Sequence, residues 1–358
     1  MKKVLFFLSF AACTVFTLSC NKELVENKSA ESAPISINVR VNNGLAGNIV
    51  ASGTKVTGLT ENDAERNDAA EEARVNSLQV FVFKDEQCES SSGVLTGTLS
   101  SSIPVTSGER TIWAVVNAPD LGKPSTLTAL STSLSKLSDN ELNSFVMSGS
   151  VRQTVRDGGT VDVTVKRIVA RVSVNKVSTA FKDARSGYSV DLQSMYLINV
   201  PGDSMYGSVY ESTSWINKLA HNDASYDDLL YDDIDEVIKN GKPHVTSHYF
   251  YPYPNVYPQV EDNFSDTWAP RGSILVLQVR LLNDVGNPVD LSKTGQTVGY
   301  YPIVLPVIER NKTYTIGEVI LTKLPGLVPY KPIETGESYV NIVVNEWEDG
   351  LYIPELTI

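Results

Sequence analysis

Alternation of apolar and polar side chains is the strongest signal along this chain. Ile35, Ile37, Val39 and Val41 alternate with Ser36, Asn38 and Arg40, the two-residue period of a strand with one buried face. Runs rich in Val, Ile, Phe and Trp over 75–83, 111–117, 160–165 and 167–175 predict further strands. A second series follows over 189–200, 245–250, 273–281, 300–308, 314–321 and 339–344. Gly and Pro turns separate the runs, which favours antiparallel sandwiches over parallel α/β units. Within the first series, residues 125–146 differ. Leu127, Leu130, Leu134 and Leu137 recur at helical spacing, and Ser138 with Glu141 forms a capping box ahead of Leu142, Phe145 and Val146. One or two short helices are therefore expected there. The segment 42–74 opens with Gly44, Gly47, Gly53 and Gly58 and continues into an acidic, alanine-containing run, so it reads as a loop with at most a marginal helical stretch.

The first twenty residues follow another pattern. Lys2 and Lys3 precede an apolar run over 4–18, then Ser19 and Cys20. That is the form of an export signal, too short to span a bilayer comfortably. A cysteine closing the run after a small residue is similar to a bacterial lipobox, in which Cys20 is acylated and becomes the mature N-terminus. Thr17 stands where such boxes usually carry Leu. The rival, Cys13, would leave Val15, Phe16 and Leu18 in the mature chain. Residues 21–33 are polar and read as a flexible stalk between lipid and fold.

Composition narrows the function classes. The 358 residues carry 30 Lys and Arg against 42 Asp and Glu, a net charge of −12, which speaks against a grip on nucleic acid or acidic lipid. There are 3 His and 3 Cys, and two of the cysteines fall in the export segment, leaving Cys88. Zinc cages and Cys/His catalysis lack raw material. His244 and His248 share a face on a strand but lack a third ligand nearby, so the pair reads as structural. The acidic run Asp223, Asp227, Asp228, Asp232, Asp233, Asp235 and Glu236 lacks the spacing of a calcium loop and reads as a solvated insertion. Tyr and Pro alternate over 249–258, either as an aromatic sugar platform or, better, as a Pro-broken edge strand packing its rings inward. No nucleophile elbow, phosphate loop or zinc-protease helix occurs, so neither enzyme activity nor a cofactor is expected.

Several of these segments, taken in order, resemble the fimbrillins, the type V pilins. They are 19–23 (Ser-Cys-Asn-Lys-Glu), the strand 34–41, 77–83 (Ser-Leu-Gln-Val-Phe-Val-Phe), 113–117 (Trp-Ala-Val-Val-Asn), 166–172 (Lys-Arg-Ile-Val-Ala-Arg-Val), the Tyr/Pro stretch 249–255 and 340–347. The resemblance implies a mainly β chain of two tandem antiparallel β-sandwich (transthyretin-like) domains, with the short helices in the first. It divides the chain into a lipoprotein signal peptide 1–19, a stalk 20–33, an N-terminal domain 34–165 with a removable first strand 34–41, a C-terminal domain 166–347 and a donor strand 348–358. It also implies export to the outer membrane as a palmitate-bearing lipoprotein through Cys20. A trypsin-like protease then cuts after a basic residue and removes Ile35, Ile37, Val39 and Val41 with their strand. Lys55 best matches the family's cut position, although the family usually has Arg there, and Arg66 is the alternative. The emptied groove takes a strand from a neighbouring subunit, for which Leu351, Tyr352, Ile353, Leu356 and Ile358 are the candidates. The implied partners are further copies of this chain and related fimbrial subunits, in a cell-surface fimbrium that contributes to adhesion to an unspecified host or bacterial ligand. Two alternatives stand beside this reading: a non-polymerising anchor or tip subunit, and an exported glycan-binding lipoprotein using the tyrosines of the second series.

Overall fold

The computed structural model describes residues 32–41, 59–62, 71–207, 210–219, 229–258, 268–333, 343–347 and 356–357. All of them lie in one compact unit, Ser32–Ile358. The fold is mainly β, as expected. In chain order the first strands are β1 (Ala33–Val41), β2 (Thr60–Asn62), β3 (Ser77–Lys84), β4 (Gln87–Thr96), β5 (Ser100–Val105), β6 (Gly108–Val116), β7 (Leu134–Lys136), β8 (Met147–Val155) and β9 (Thr160–Arg167). Seven of these make one sheet in the order β4-β3-β6-β8-β9-β1-β5. Every pairing in it is antiparallel except that of β1 with β9. Laid flat, its two edge strands would stand roughly 29 Å apart at the usual strand spacing. Yet the link from Thr96 of β4 to Ser100 of β5 can reach only about 14 Å. The sheet therefore has to fold over on itself, and it buries Val80, Phe81, Ile112, Val115 and Val163 as it does so.

The strands that follow are β10 (Arg171–Val174), β11 (Val177–Thr179), β12 (Ser189–Ile198), β13 (Val200–Pro201), β14 (Asp203–Met205), β15 (Trp215–Ile216), β16 (Tyr231–Ile238), β17 (His248–Phe250), β18 (Ile274–Leu282), β19 (Val298–Val304), β20 (Lys312–Ile316), β21 (Val319–Leu321), β22 (Val343–Glu346) and β23 (Leu356–Thr357). They form a five-stranded sheet β2-β17-β10-β20-β22, a four-stranded sheet β16-β12-β18-β19 and a three-stranded sheet β11-β21-β23. Two short ribbons, β13-β15 and β14-β7, complete the set. The two series are laced together, because β2 and β7 come from the first and pair within the second.

Two local expectations need correction. Helix α1 covers only Leu127–Ser131, started by the Thr126 hydroxyl accepting from the Ala129 amide. Ser131, Thr132 and Ser133 then turn their hydroxyls back onto the carbonyls of Thr128 and Ala129, a competing pattern that favours helix ends. Leu134 falls in β7 and Leu137 in a single 3₁₀ turn. The second helix does not form. Asn140 instead bonds the Leu137 carbonyl, the Val146 amide and the Tyr253 hydroxyl, and so fixes an irregular path that buries Phe145 and Val146. The segment expected to be loop contributes β2 and a 3₁₀ turn at Glu71–Ala73. The acidic run is in part the edge strand β16, where Asp233, Asp235 and Glu236 are exposed. Charged side chains on an edge discourage pairing with foreign strands.

Candidate functional site

The first strand occupies an interior seat. β1 lies between β9 and β5, with Ser36–Val41 in register with Thr160–Val165 on one side and Ala33–Asn38 paired to Val105–Ser100 on the other. Its alternation separates two faces. Ile35, Ile37, Val39 and Val41 are at most 4% exposed, against Ile103 and Val105 of β5 and Val161, Val163 and Val165 of β9, which are also buried. Each of the four side chains contributes about 1.5–3 kcal/mol when fully buried. The solvent face adds little: Arg40 pairs with Asp162 at 3.2 Å, but both side chains are more than half exposed. Removing β1 would leave a slot with four apolar positions spaced two residues apart and two rows of unpaired backbone groups.

A second cluster lies in the chain after the segment that follows β1. The Glu72 carboxylate, 4% exposed, accepts from Arg171 Nη1 (2.9 Å to each oxygen), the Tyr251 hydroxyl (2.9 Å) and Trp347 Nε1 (2.7 Å). Its backbone carbonyl accepts from Arg167 Nε at 2.8 Å. Arg167 and Arg171 lie over the Trp347 ring at 4.6 and 5.3 Å, and Phe145 and Tyr251 flank it. Burial pulls the Arg167 guanidinium down to about 10, with the Glu72 charge opposing. Asn311 continues the cluster: its side-chain Oδ1 accepts from the Arg167 amide, its backbone carbonyl accepts from the Trp347 amide, and its own amide donates to the Val169 carbonyl. Glu72 thus ties the 3₁₀ turn at Glu71–Ala73, ahead of β3, to Trp347, which follows β22.

Five of the seven motifs picked out in the sequence, 77–83, 113–117, 166–172, 249–255 and 340–347, contribute to this junction. Asn117, which ends the run 113–117, sits at φ +58° and uses its side chain four times, accepting from the amides of Asn76 and Ser77 and donating to Arg74 and Phe145 carbonyls. Left-handed backbone of this kind suits Asn among residues with a side chain. In the Tyr/Pro stretch, Tyr251 and Tyr253 are fully buried, and Tyr253 engages Ser135, Lys136 and Asn140. Burial raises the Tyr253 hydroxyl far above the usual range. Their rings face inward and give no platform for a sugar. Arg310 also bridges the series, donating to the Tyr206 carbonyl and to Ser148.

Cys20, Lys55, Arg66, Leu351, Tyr352, Ile353 and Ile358 lie outside the described residues. Arg74, beside β3, is 5% exposed and closed to a protease. Leu356–Thr357 runs parallel to β21 of its own chain. His244 and His248 come together in a buried pair with Glu236 and Asp232. Among the described residues no group of three or more His, Cys, Asp or Glu side chains is placed to hold a metal ion. Sequence reasoning missed Glu72 altogether, because it stands in a polar stretch and its partners are 95 to 275 positions away.

The family model of the major fimbrial subunit protein (FimA) matches residues 47–182, a range that holds three of the motifs above. No curated protein matches the chain. Among solved structures, the fold is similar to that of a fimbrilin (FimA) from Porphyromonas gingivalis, with 16% identity, 89% of this chain and 98% of that one covered, and a TM-score of 0.60. A protein from Bacteroides eggerthii described as a cell adhesion protein matches at 14% identity over 89% of this chain and 97% of its own, with a TM-score of 0.56. Another of that description, from Parabacteroides distasonis, matches at 17% identity over 90% and 100%, also with a TM-score of 0.56. At these identities the likeness establishes the fold.

Proposed function

We propose that this chain, which carries the signature of the major fimbrial subunit (FimA) family over residues 47–182, is a structural subunit of a cell-surface fimbrium that polymerises by strand exchange. The observation that carries the reading is the seat of β1. A nine-residue strand with four core side chains sits between two others and is joined onward through a single stretch, 42–58. Proteolysis in that stretch would convert a closed sheet into an acceptor slot, the starting point for strand addition by a neighbour. In this reading Cys20 carries the lipid that holds the precursor at the outer membrane, and residues 348–358 supply the donor. The division into domains 34–165 and 166–347 belongs to it as well, since the strands of the seven-stranded sheet end at Arg167 and, β2 and β7 apart, those of the other sheets start at Arg171.

Strand β2 favours Lys55 over Arg66 as the cut. Leu59 is fully buried; its amide donates to the Leu229 carbonyl and its own carbonyl accepts from the Tyr251 amide. The Thr60 hydroxyl donates to the Tyr231 carbonyl, and Thr60–Asn62 pairs with β17. A cut after Lys55 keeps this strand on the mature chain and holds the new N-terminus in place. A cut after Arg66 would sever β2 from the rest of the protein and leave an edge of β17 to lose its partner. Treating the precursor with a trypsin-like protease and sequencing assembled subunits should therefore give an N-terminus at Val56; Asn67 would overturn the preference, and a terminus elsewhere would overturn both positions. Fatty-acid labelling in a Gram-negative host should be lost in Cys20→Ala, and persistent label would refute the lipid site.

A second reading, a subunit that does not donate its tail, draws on the pairing of Leu356–Thr357 with β21 in the same chain. Detergent-resistant ladders after cleavage separate the two: ladders support the polymerising subunit, and cleaved monomers alone support the other.

A further inference from the structure

His244 and His248 close a chain of four ionisable side chains at one corner of the second β series. His244 Nδ1 lies 2.5 Å from Glu236 Oε2, the two Nε2 atoms are 2.7 Å apart, and His248 Nδ1 lies 2.5 Å from Asp232 Oδ2. The ring centroids are 5.0 Å apart with planes 23° from parallel, so the rings meet edge to edge along the nitrogen–nitrogen line. Both histidines are at most 4% exposed. A carboxylate only accepts, so each Nδ1 keeps its proton. The facing Nε2 atoms then require one proton between them: with none, two lone pairs oppose each other, and with two, two N–H groups do.

We propose that the His244–His248 pair holds one shared proton in the folded protein and acts as a proton-operated latch on β2. Asp232 and Glu236 belong to β16, the edge of the four-stranded sheet. His248 opens β17, to which β2 is paired, and the His244 backbone bridges to Val177 of β11. β2 is also bonded to the chain entering β16, through Leu59 to Leu229 and Thr60 to Tyr231. The four-residue chain therefore fastens β16 to β17 where β2 is gripped from both sides. Other ionisable groups on the neighbouring elements are Tyr231, Asp233 and Asp235 on β16, Asp191 on β12, Tyr249 on β17, Glu61 opposite it on β2, Lys239 and Lys242 paired through backbone in the connecting turn, and Lys176 beside β11, which is engaged with Glu318. The contacts of the pair itself are to the two carboxylates. The latch does not depend on the fimbrial reading.

Proton counting gives a signature that a merely structural pair lacks. An unfolded chain binds two imidazole protons below about pH 6.5 and none well above it. A folded state holding one throughout binds fewer than the unfolded chain on the acid side and more on the alkaline side, so the latch contribution rises with pH up to about 6.5 and falls beyond it. On each flank the unfolding constant changes up to tenfold per pH unit. The test compares wild type with the His244→Gln/His248→Gln double variant between about pH 5 and 8.5, using denaturant unfolding, amide exchange at Leu59 and Thr60 corrected for intrinsic rates, and ¹⁵N spectra of the wild-type imidazoles. The proposal expects a peaked difference curve, faster exchange at both extremes, and three N–H protons on the four ring nitrogens at mid-range. A monotonic rise to a plateau, or a count of two or four protons at mid-range, overturns it; if the double variant does not fold, the wild-type proton count decides alone.

Discussion

A chain lacking residues 351–358 is expected to fold, to be exported and to be cleaved, and to form no polymer. β22 and the Trp347 side chain remain, so the five-stranded sheet and the Glu72 cluster are complete without the tail; among the described residues, the pairing lost within the subunit is that of β23 with β21. What the tail offers a neighbour is a pattern. The slot left by β1 has four apolar positions at a two-residue period, and Tyr352, Pro354, Leu356 and Ile358 present four apolar side chains of one parity. Leu351 and Ile353 fall on the other parity, followed by Glu355 and Thr357. Pro354 has no N–H to donate, so a donor seated between β9 and β5 forgoes one ladder bond at that position. Ladders on denaturing gels after proteolysis provide the measurement, and normal ladders from the truncated chain would remove the tail from the account.

The second large effect is expected at Glu72. Glu72→Ala takes the acceptor away from Arg171, Tyr251 and Trp347 at once and leaves the buried Arg167 and the partly buried Arg171 guanidinium groups without their counter-charge. Breaking a buried pair in this way costs about 3–5 kcal/mol, and denaturant unfolding reads it directly. Replacing the ionic set together should be far milder, because apolar side chains of similar size need no partner. Glu72→Leu combined with Arg167→Met, Arg171→Met and Tyr251→Phe is accordingly expected to recover much of the stability lost in Glu72→Ala, with the Trp347 indole N–H the donor of this set left without its acceptor. A loss below about 1 kcal/mol in Glu72→Ala would place the cluster among exposed ion pairs, and the tie between the turn ahead of β3 and Trp347 would carry no weight.

What could be read from the sequence followed from how each strand meets solvent. β1 is legible because one face is core and the other is water, and β3 and β18 because both faces are buried in long apolar runs. β4 was missed: its sequence, Gln-Cys-Glu-Ser-Ser-Ser-Gly-Val-Leu-Thr, lies half exposed at a sheet edge and needs no apolar alternation. β16 was hidden for a related reason, since an edge strand carrying four acids looks like loop. The helix expected after Ser138 lost to Asn140, one of whose three side-chain hydrogen bonds goes to a tyrosine 113 positions away. The junction was legible only as separate motifs. Arg167, Arg171, Tyr251 and Trp347 each stood in a segment that drew notice, but nothing local says that one glutamate in a polar stretch gathers them.

Strand exchange at the β1 seat is the central claim, and amide hydrogen exchange at that seat tests it most directly. The amides of β9 and β5 that pair with β1 should be protected in the precursor, exposed after cleavage and release of β1, and protected again in the polymer. Cleaved protein lacking residues 351–358 should stay exposed at the same amides. If β9 and β5 remain protected in cleaved monomers, or regain protection without the tail, the groove is not where subunits join and the account is wrong.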